Sequence, residues 1–251
     1  MGYTESSLTK ELIDAGIKTT DTLLVHSSMK KIGIVEGGAD TVLDALTSAV
    51  SSGLLVLPTL SYATVGIDNP FFSVNETPSC VGILTEIFRK RKGVYRSWHP
   101  THSVAAYGKE SESFIKGHEL NSTPCSRKGP WGRLLDRKAK ILFIGTGISC
   151  NTFLHGVEEW NKVPDYFTEY PEILTIITPD GKKITRGYYR HNQHTSDNYA
   201  KIEDLLFSEK VLTKFKFGDA NCDLIDCYRL EQIVSEILRK DIKFFFHNRL
   251  L

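Results

Sequence analysis

The chain has 251 residues, 41% of them hydrophobic and 24% charged, with 31 Lys and Arg against 30 Asp and Glu. This is the composition of a globular protein able to bury a substantial core, and a net charge of +1 argues against a nucleic-acid footprint or an acidic tail. No apolar run approaches the roughly 20 residues of a membrane helix. The N-terminus lacks a basic region followed by an apolar one, so no secretory signal is expected. Gly2 and Ser6 match only a minimal myristoylation pattern, taken here as chance. Cys80, Cys125, Cys150, Cys222 and Cys227 are scattered and form no CxxC, against a disulfide scaffold or a Cys-rich zinc site. A cytoplasmic chain with neither nucleic-acid nor membrane partners is expected.

A first amphipathic helix is predicted over 5–15, with Leu8, Leu12, Ile13 and Ala15 on one face and Gly16 ending it. Thr22 to Val25 is a compact strand running into His26, Ser27 and Ser28. Open α/β sheets place ligand sites where small polar residues follow a buried strand. A loop with Gly37 and Gly38 leads to a helix capped near Asp40, with Val42, Leu43, Leu46 and Val50 apolar, and Leu54 to Leu57 is a second strand closed by Pro58. This alternation argues for α/β architecture around a buried sheet. Residues 59–78 lack periodicity, which suggests either a functional loop or lid, or an aromatic-plugged surface loop. A helix over Val81 to Arg91 ends in FRKRKG, a charge run suited to a helix C-terminus or, less simply, to a phosphate group.

Val104 to Tyr107 is a further strand, preceded by Arg96, Ser97, His99, Thr101, His102 and Ser103. His99 and His102 have HxxH spacing, but Pro100 between them prevents a regular helix, which weakens a zinc reading. His191 and His194, with Asp197, form a second HxxH. Residues 118–136 read as a Gly/Pro-rich loop with a short helix at Trp131 to Leu135. Ile141 to Ile144 is a strand, followed by a Gly-Thr-Gly turn and a helix with Asn151 or Thr152 as N-cap. His155 and Glu158 fall on one face of that helix, three residues apart. An imidazole beside a carboxylate near a strand end makes a general base, or else an ordinary helix histidine with a partner. Beyond an irregular aromatic piece at Tyr166 to Tyr170, Pro179-Asp180-Gly181 turns a β-hairpin between Ile173–Thr178 and Lys183–Tyr189. Helices over 199–207 and about 222–238, with a strand at Val211 to Phe217 between them, complete a single domain over 1–251.

Taken together, LLVHSSMKKIG (23–33), Gly37-Gly38, LLVLPTLSY (54–62), RSWHPTHSVAAYG (96–108) and NTFLHGVEE (151–159) resemble the aminoglycoside 3-N-acetyltransferase family, in order and at similar spacing. The late GDANCDLIDCYRLEQI is similar to that family's final region. The resemblance implies an α/β/α sandwich distinct from the commoner GNAT acetyltransferase fold; the sheet is expected to be mixed, and the hairpin read from the residues an appendage to it. It also implies acetyl-coenzyme A as donor, no metal, and the 3-N amine of an aminoglycoside as acceptor, with antibiotic resistance as the consequence. By position, Ser27, Ser28 and Met29 match one coenzyme-contacting stretch, His102, Ser103 and Val104 match a second, and His155 with Glu158 matches the catalytic pair. The chain departs from the family at TPCSRKGPWGRLL and at 63–78, where acceptor choice would be read.

The residues support the same chemistry. An amine attacking a thioester must lose a proton, and imidazole, with an ordinary pKa of about 6.5, accepts it near neutral pH. Glu158 or Glu159 could orient His155, and backbone N–H groups after the first strand are candidate donors to the oxyanion. Cys150 invites a covalent scheme but reads more simply as a buried or incidental thiol. A polycationic acceptor calls for carboxylates, for which Asp68, Glu158, Glu159 and Asp165 are candidates. Another small amine is an alternative acceptor. A metal-dependent hydrolase built on His99, His102, His191 and His194, or a silent coenzyme-binding protein, are rivals of other classes. The subunit is expected as a monomer or homodimer.

Overall fold

A computed structural model describes residues 2–192 and 195–246. Helix α1, Glu5–Asp14, opens on a reciprocal cap: the Thr4 hydroxyl accepts from Ser7 N–H and the Ser7 hydroxyl accepts from Thr4 N–H. Strand β1, Thr22–Ser27, carries the apolar run two residues further than its composition suggests, through His26 and Ser27. Helix α2, Ala39–Ala49, follows Gly38, and β2, Leu54–Pro58, returns parallel to β1. Next come β3, Phe71–Ser73, α3, Ile83–Phe88, β4, Tyr95–Arg96, β5, Val104–Gly108, α4, Ser111–Ile115, and α5, Pro130–Asp136. Strand β6, Lys140–Ile144, inserts on the other side of β1, also parallel, and leads into α6, Thr152–Trp160. The remainder is β7, Glu172–Ile177, β8, Lys183–Tyr188, a 3₁₀ turn Thr195–Ile202, α7, Glu203–Ser208, β9, Leu212–Phe217, β10, Ala220–Asp226, and α8, Cys227–Lys240.

Seven strands form one mixed sheet in the order β4-β5-β2-β1-β6-β10-β9, with the parallel strands β2, β1 and β6 at its centre. Successive side chains point to opposite faces of a strand. Leu24, Val56, Ile141 and Phe143 therefore meet α5, α6 and α8 on one face, while Leu23, Val25, Leu55 and Leu142 meet α1, α2 and α3 on the other. Burial on both faces explains why the central strands are continuous apolar runs, and it produces the expected α/β/α sandwich.

Several elements differ from expectation. The helix expected over 199–207 is a 3₁₀ turn, Thr195–Ile202, followed by the short α7, Glu203–Ser208. The hairpin β7–β8 is not a lone appendage: β3 pairs parallel to β7, making a three-stranded sheet with its own core of Val65, Phe72, Val74, Leu174, Ile176 and Tyr188. The helix expected from 222 begins at Cys227, because Gly218 and Asp219 turn β9 back into β10. Gly218 sits at φ +57, where a Cβ would meet Ile32 O at 2.4 Å. Asp226 then caps α8, accepting from Arg229 N–H at 2.9 Å. The helix expected over Val81 to Arg91 is only Ile83–Phe88. Most of its charge run is paired, with Arg89 and Lys90 on Glu86 and Arg91 on Asp40 and Asp44.

Candidate active site

The three parallel strands point their C-terminal ends the same way. The chain leaves β1 toward β2 on one side, and β6 lies on the other, so a crevice opens between the two connections. A cavity of about 560 Å³ occupies it. Its wall holds Val25, His26 and Ser27 from β1, Pro58 and Leu60 from the end of β2, and Thr146, Ser149 and Cys150 after β6. From α6 come Thr152 and His155, and His102, Arg190 and His191 close it. Gly145, at φ +63, makes the turn out of β6; a Cβ there would meet Lys31 Cβ at 2.4 Å. Asn151 caps α6, its side chain accepting from Phe153 N–H at 3.2 Å.

His155 and Glu158 sit on one face of α6, yet His155 Nδ1 is 3.6 Å from Glu158 Oε2, too far for a hydrogen bond. Two phenols stand between them. His155 Nδ1 lies 2.6 Å from the Tyr166 hydroxyl and 2.8 Å from that of Tyr199. Tyr166 donates to Glu158 Oε2 at 2.7 Å, Tyr199 donates to the same oxygen, and Thr195 donates to it at 2.9 Å. Glu158 is buried, while His155 reaches the cavity. Burial raises both phenols well above the usual tyrosine range, with the Glu158 charge adding to it, so they keep their protons.

A second carboxyl–imidazole pair lies beside the first. Glu159 Oε1 is 2.8 Å from His191 Nε2 and accepts from Cys125 N–H at 2.7 Å. The His191 ring stacks on His155 at 4.7 Å and meets His102 edge-on at 5.3 Å. Burial pushes Glu159 up to about 8, and burial together with the neighbouring imidazoles and Arg190 holds His191 well below its usual range. His102 is depressed in the same way. His26 is pushed to about 3 by burial and stacks flat on Phe143 at 5.1 Å.

The remaining sequence-derived candidates separate. Ser27 and His102 line the cavity. Ser28 gives its N–H to Ile144 O at 2.8 Å, which removes it from the candidate oxyanion donors. Met29 packs against the core on the α1–α3 face. Ser103 is fully buried beneath the wall, donating to Thr59 O at 2.7 Å and accepting from Arg96 Nε at 3.1 Å. Val104 is a core residue of the sheet. Of the two readings of Cys150, burial is overturned: the residue is exposed in the cavity wall. The 59–78 segment contributes Leu60 and Tyr62 to the wall and is tied down by two guanidinium groups. Arg96 donates to Thr59 O, Val74 O and Thr77 O, and Arg190 donates to Tyr62 O and Val65 O.

His99 does not face the cavity: its Nδ1 accepts from His102 N–H at 3.1 Å and its ring packs on His118 and Tyr188. His194, the partner in the second HxxH, lies outside the described residues. Among the described residues, the group of three that approaches metal-ligand spacing is Cys125, Glu159 and His191, already joined to one another and to the backbone by hydrogen bonds. Sequence reasoning missed Tyr166, Tyr199, Thr195 and Arg190. Arg190, Thr195 and Tyr199 are near one another in the chain but distant from α6, and with Tyr166 they follow no local pattern, so only the meeting of Tyr166 and the segment 190–202 with α6 could have shown them.

Fold and cavity together define an α/β enzyme with a ligand crevice at the parallel strand ends. The profile of the aminoglycoside 3-N-acetyltransferase family matches residues 24–239, and the chain belongs to that family of acetyltransferases. Aminoglycoside N(3)-acetyltransferase IV of a Salmonella species is 31% identical over 248 residues, covering 98% of this chain and 91% of the relative. Among solved structures, a histidine-to-alanine mutant of aminoglycoside acetyltransferase AAC(3)-IVa in complex with a gentamicin superposes with a TM-score of 0.86. It is 27% identical, with 98% of this chain and 92% of that one covered. AAC-IIIb in its binary complex with CoASH shares the fold at a TM-score of 0.85 and 22% identity, covering 96% and 97%.

Proposed function

We propose that the chain, read as one cytoplasmic domain over 1–251, transfers the acetyl group of acetyl-coenzyme A directly to an aminoglycoside amine, the 3-N amine by family. His155 is the general base and Glu158 its partner. One observation carries this reading: His155 stands in the wall of the crevice with Nδ1 turned inward to a buried, hydrogen-bonded carboxyl group. Nδ1 is thereby engaged and Nε2 is the nitrogen available to take a proton. The cavity fits a coenzyme arm at its inner end. Ser27, Thr146, Ser149 and Thr152 supply hydroxyls among Val25, Pro58, Leu60 and Val81, and the Thr146 hydroxyl oxygen is buried with no partner among the described residues. Acetyl-coenzyme A supplies the activated acyl group. The chain's own residues orient the amine, withdraw its proton at His155 Nε2 and exclude water behind Leu60 and Tyr62.

A second acceptor is favoured by one observation. Among the described residues the cavity wall carries Arg190 and no carboxylate. Asp68 is exposed, Asp165 is exposed and 3.6 Å from Lys243, and Glu158 and Glu159 lie behind His155 and His191. An amine with fewer positive charges suits such a wall better than a polycation. Thiol release from acetyl-coenzyme A, measured with aminoglycosides and with singly charged amino sugars, tests both. Turnover with some amine, abolished in His155→Ala while coenzyme binding persists, is the expected result. Parental turnover in that variant overturns the assignment of the base.

A further inference from the structure

The carboxyl group that serves His155 never touches it. Both phenols do, and both also touch the carboxyl group. Glu158 is buried and its other oxygen, Oε1, has no partner among the described residues, so Oε2 alone collects the available donors. A carboxylate draws hydrogen bonds about twice as strong as those to a neutral acceptor. The phenol protons therefore turn to Glu158, and the lone pairs left on each phenol oxygen face Nδ1. That nitrogen can satisfy them only as a donor.

We infer that Tyr166 and Tyr199 are positioning residues for the reaction: they bridge His155 to Glu158, hold the imidazole as its Nδ1–H tautomer, and leave Nε2 to receive the proton of the acceptor amine. The inference rests on the proposed role of His155. In the step itself, the amine lone pair forms the bond to the acetyl carbonyl carbon and the C–S bond breaks with its electron pair on the leaving thiolate. The nitrogen's proton sits on Nε2 until the thiolate takes it. The phenol protons stay in place throughout, and the imidazolium that forms is stabilised by Glu158 through the two hydroxyl dipoles. Thr195 donates to Glu158 from the third side and fixes the carboxyl rotamer without touching the ring. Among the described residues, the titratable and charged groups facing His155 are Glu158, Tyr166, Tyr199, His191, His102 and Arg190. Of these, only the two tyrosines contact both members of the pair.

The test combines a spectroscopic and a kinetic readout on the full chain. Nitrogen-15 NMR of the parent is expected to show His155 as the Nδ1–H tautomer; the Nε2–H tautomer overturns the inference outright. Tyr166→Phe and Tyr199→Phe remove one hydroxyl each with little change of shape. Each is expected to lower kcat about threefold, and the double variant about 30-fold or more, with KM for acetyl-coenzyme A within about twofold. The acid limb of the kcat/KM profile moves to lower pH as the imidazolium loses the two hydroxyl dipoles that face it. A double variant with parental kcat and an unmoved acid limb, beside an inactive His155→Ala, overturns the bridge and leaves the base standing. An active His155→Ala overturns both. Should the double variant not fold, the parental tautomer and the Tyr166→Phe profile decide.

Discussion

Two carboxyl–imidazole pairs start from consecutive residues of α6, and they are built in opposite ways. His191 and Glu159 touch directly at 2.8 Å, whereas His155 and Glu158 stand 3.6 Å apart with phenols between them. By distance alone the first is the better pair. Burial reverses the ranking, because removing both partners from water favours their neutral forms, raising Glu159 to about 8 and depressing His191. At neutral pH that pair is a neutral hydrogen bond that props the cavity wall and supplies the ring on which His155 stacks. A pair that takes up a proton during a reaction needs its charge shared among several dipoles, and this is what three hydroxyls around Glu158 provide.

The contrast is sharpest under substitution. His155→Ala is expected to lower kcat by about 10²- to 10⁴-fold, the usual worth of a general base, whereas His191→Ala lowers it about tenfold or less, through looser packing of the His155 ring. Steady-state kinetics with any accepted amine compares them, and equal losses would erase the distinction. Glu158→Gln is expected to cost about 10- to 100-fold at pH 7, and Glu159→Gln within about threefold, because Glu159 already holds its proton there.

Stability separates the wall from the pair. Arg96 is buried, donates to three loop carbonyls and to Ser103, and is pushed down to about 9 by burial without losing its charge at neutral pH. Arg96→Met orphans those acceptors and is expected to cost about 2–4 kcal/mol in denaturant unfolding, with loss of the 59–78 wall.

The pH dependence has two opposed parts. His26, His99, His102, His118 and His191 are all depressed by burial, so below about pH 6.5 the unfolded chain takes up protons the folded chain refuses, and stability falls as the pH drops. Glu159 acts in the other direction. Its folded carboxyl group keeps a proton that the unfolded one releases near 4.5, so its contribution is lost as pH rises from there through about 8. Melting temperatures recorded between pH 5 and 8 should fall at the acid end, and Glu159→Gln should flatten the decline toward pH 8. The smallest effect is expected at Cys150, where Ser should leave turnover within about twofold despite its place in the wall, since the proposed direct transfer needs no thiol.

Much of this was legible in the residues themselves. Apolar runs such as Leu54 to Leu57 and Ile141 to Ile144 had to be strands buried on both faces, because alternate side chains of such a run need cover on each side. The Gly-Thr-Gly turn before the Asn151 cap placed His155 near a strand end, because turn and cap chemistry are local. The tertiary structure alone decided that Tyr166 and Tyr199 stand between His155 and Glu158, that β3 joins the hairpin, and that Cys150 faces the cavity while Ser103 does not. Those facts depend on which distant segments meet, and on how much water is left between them. Periodicity and spacing carry neither.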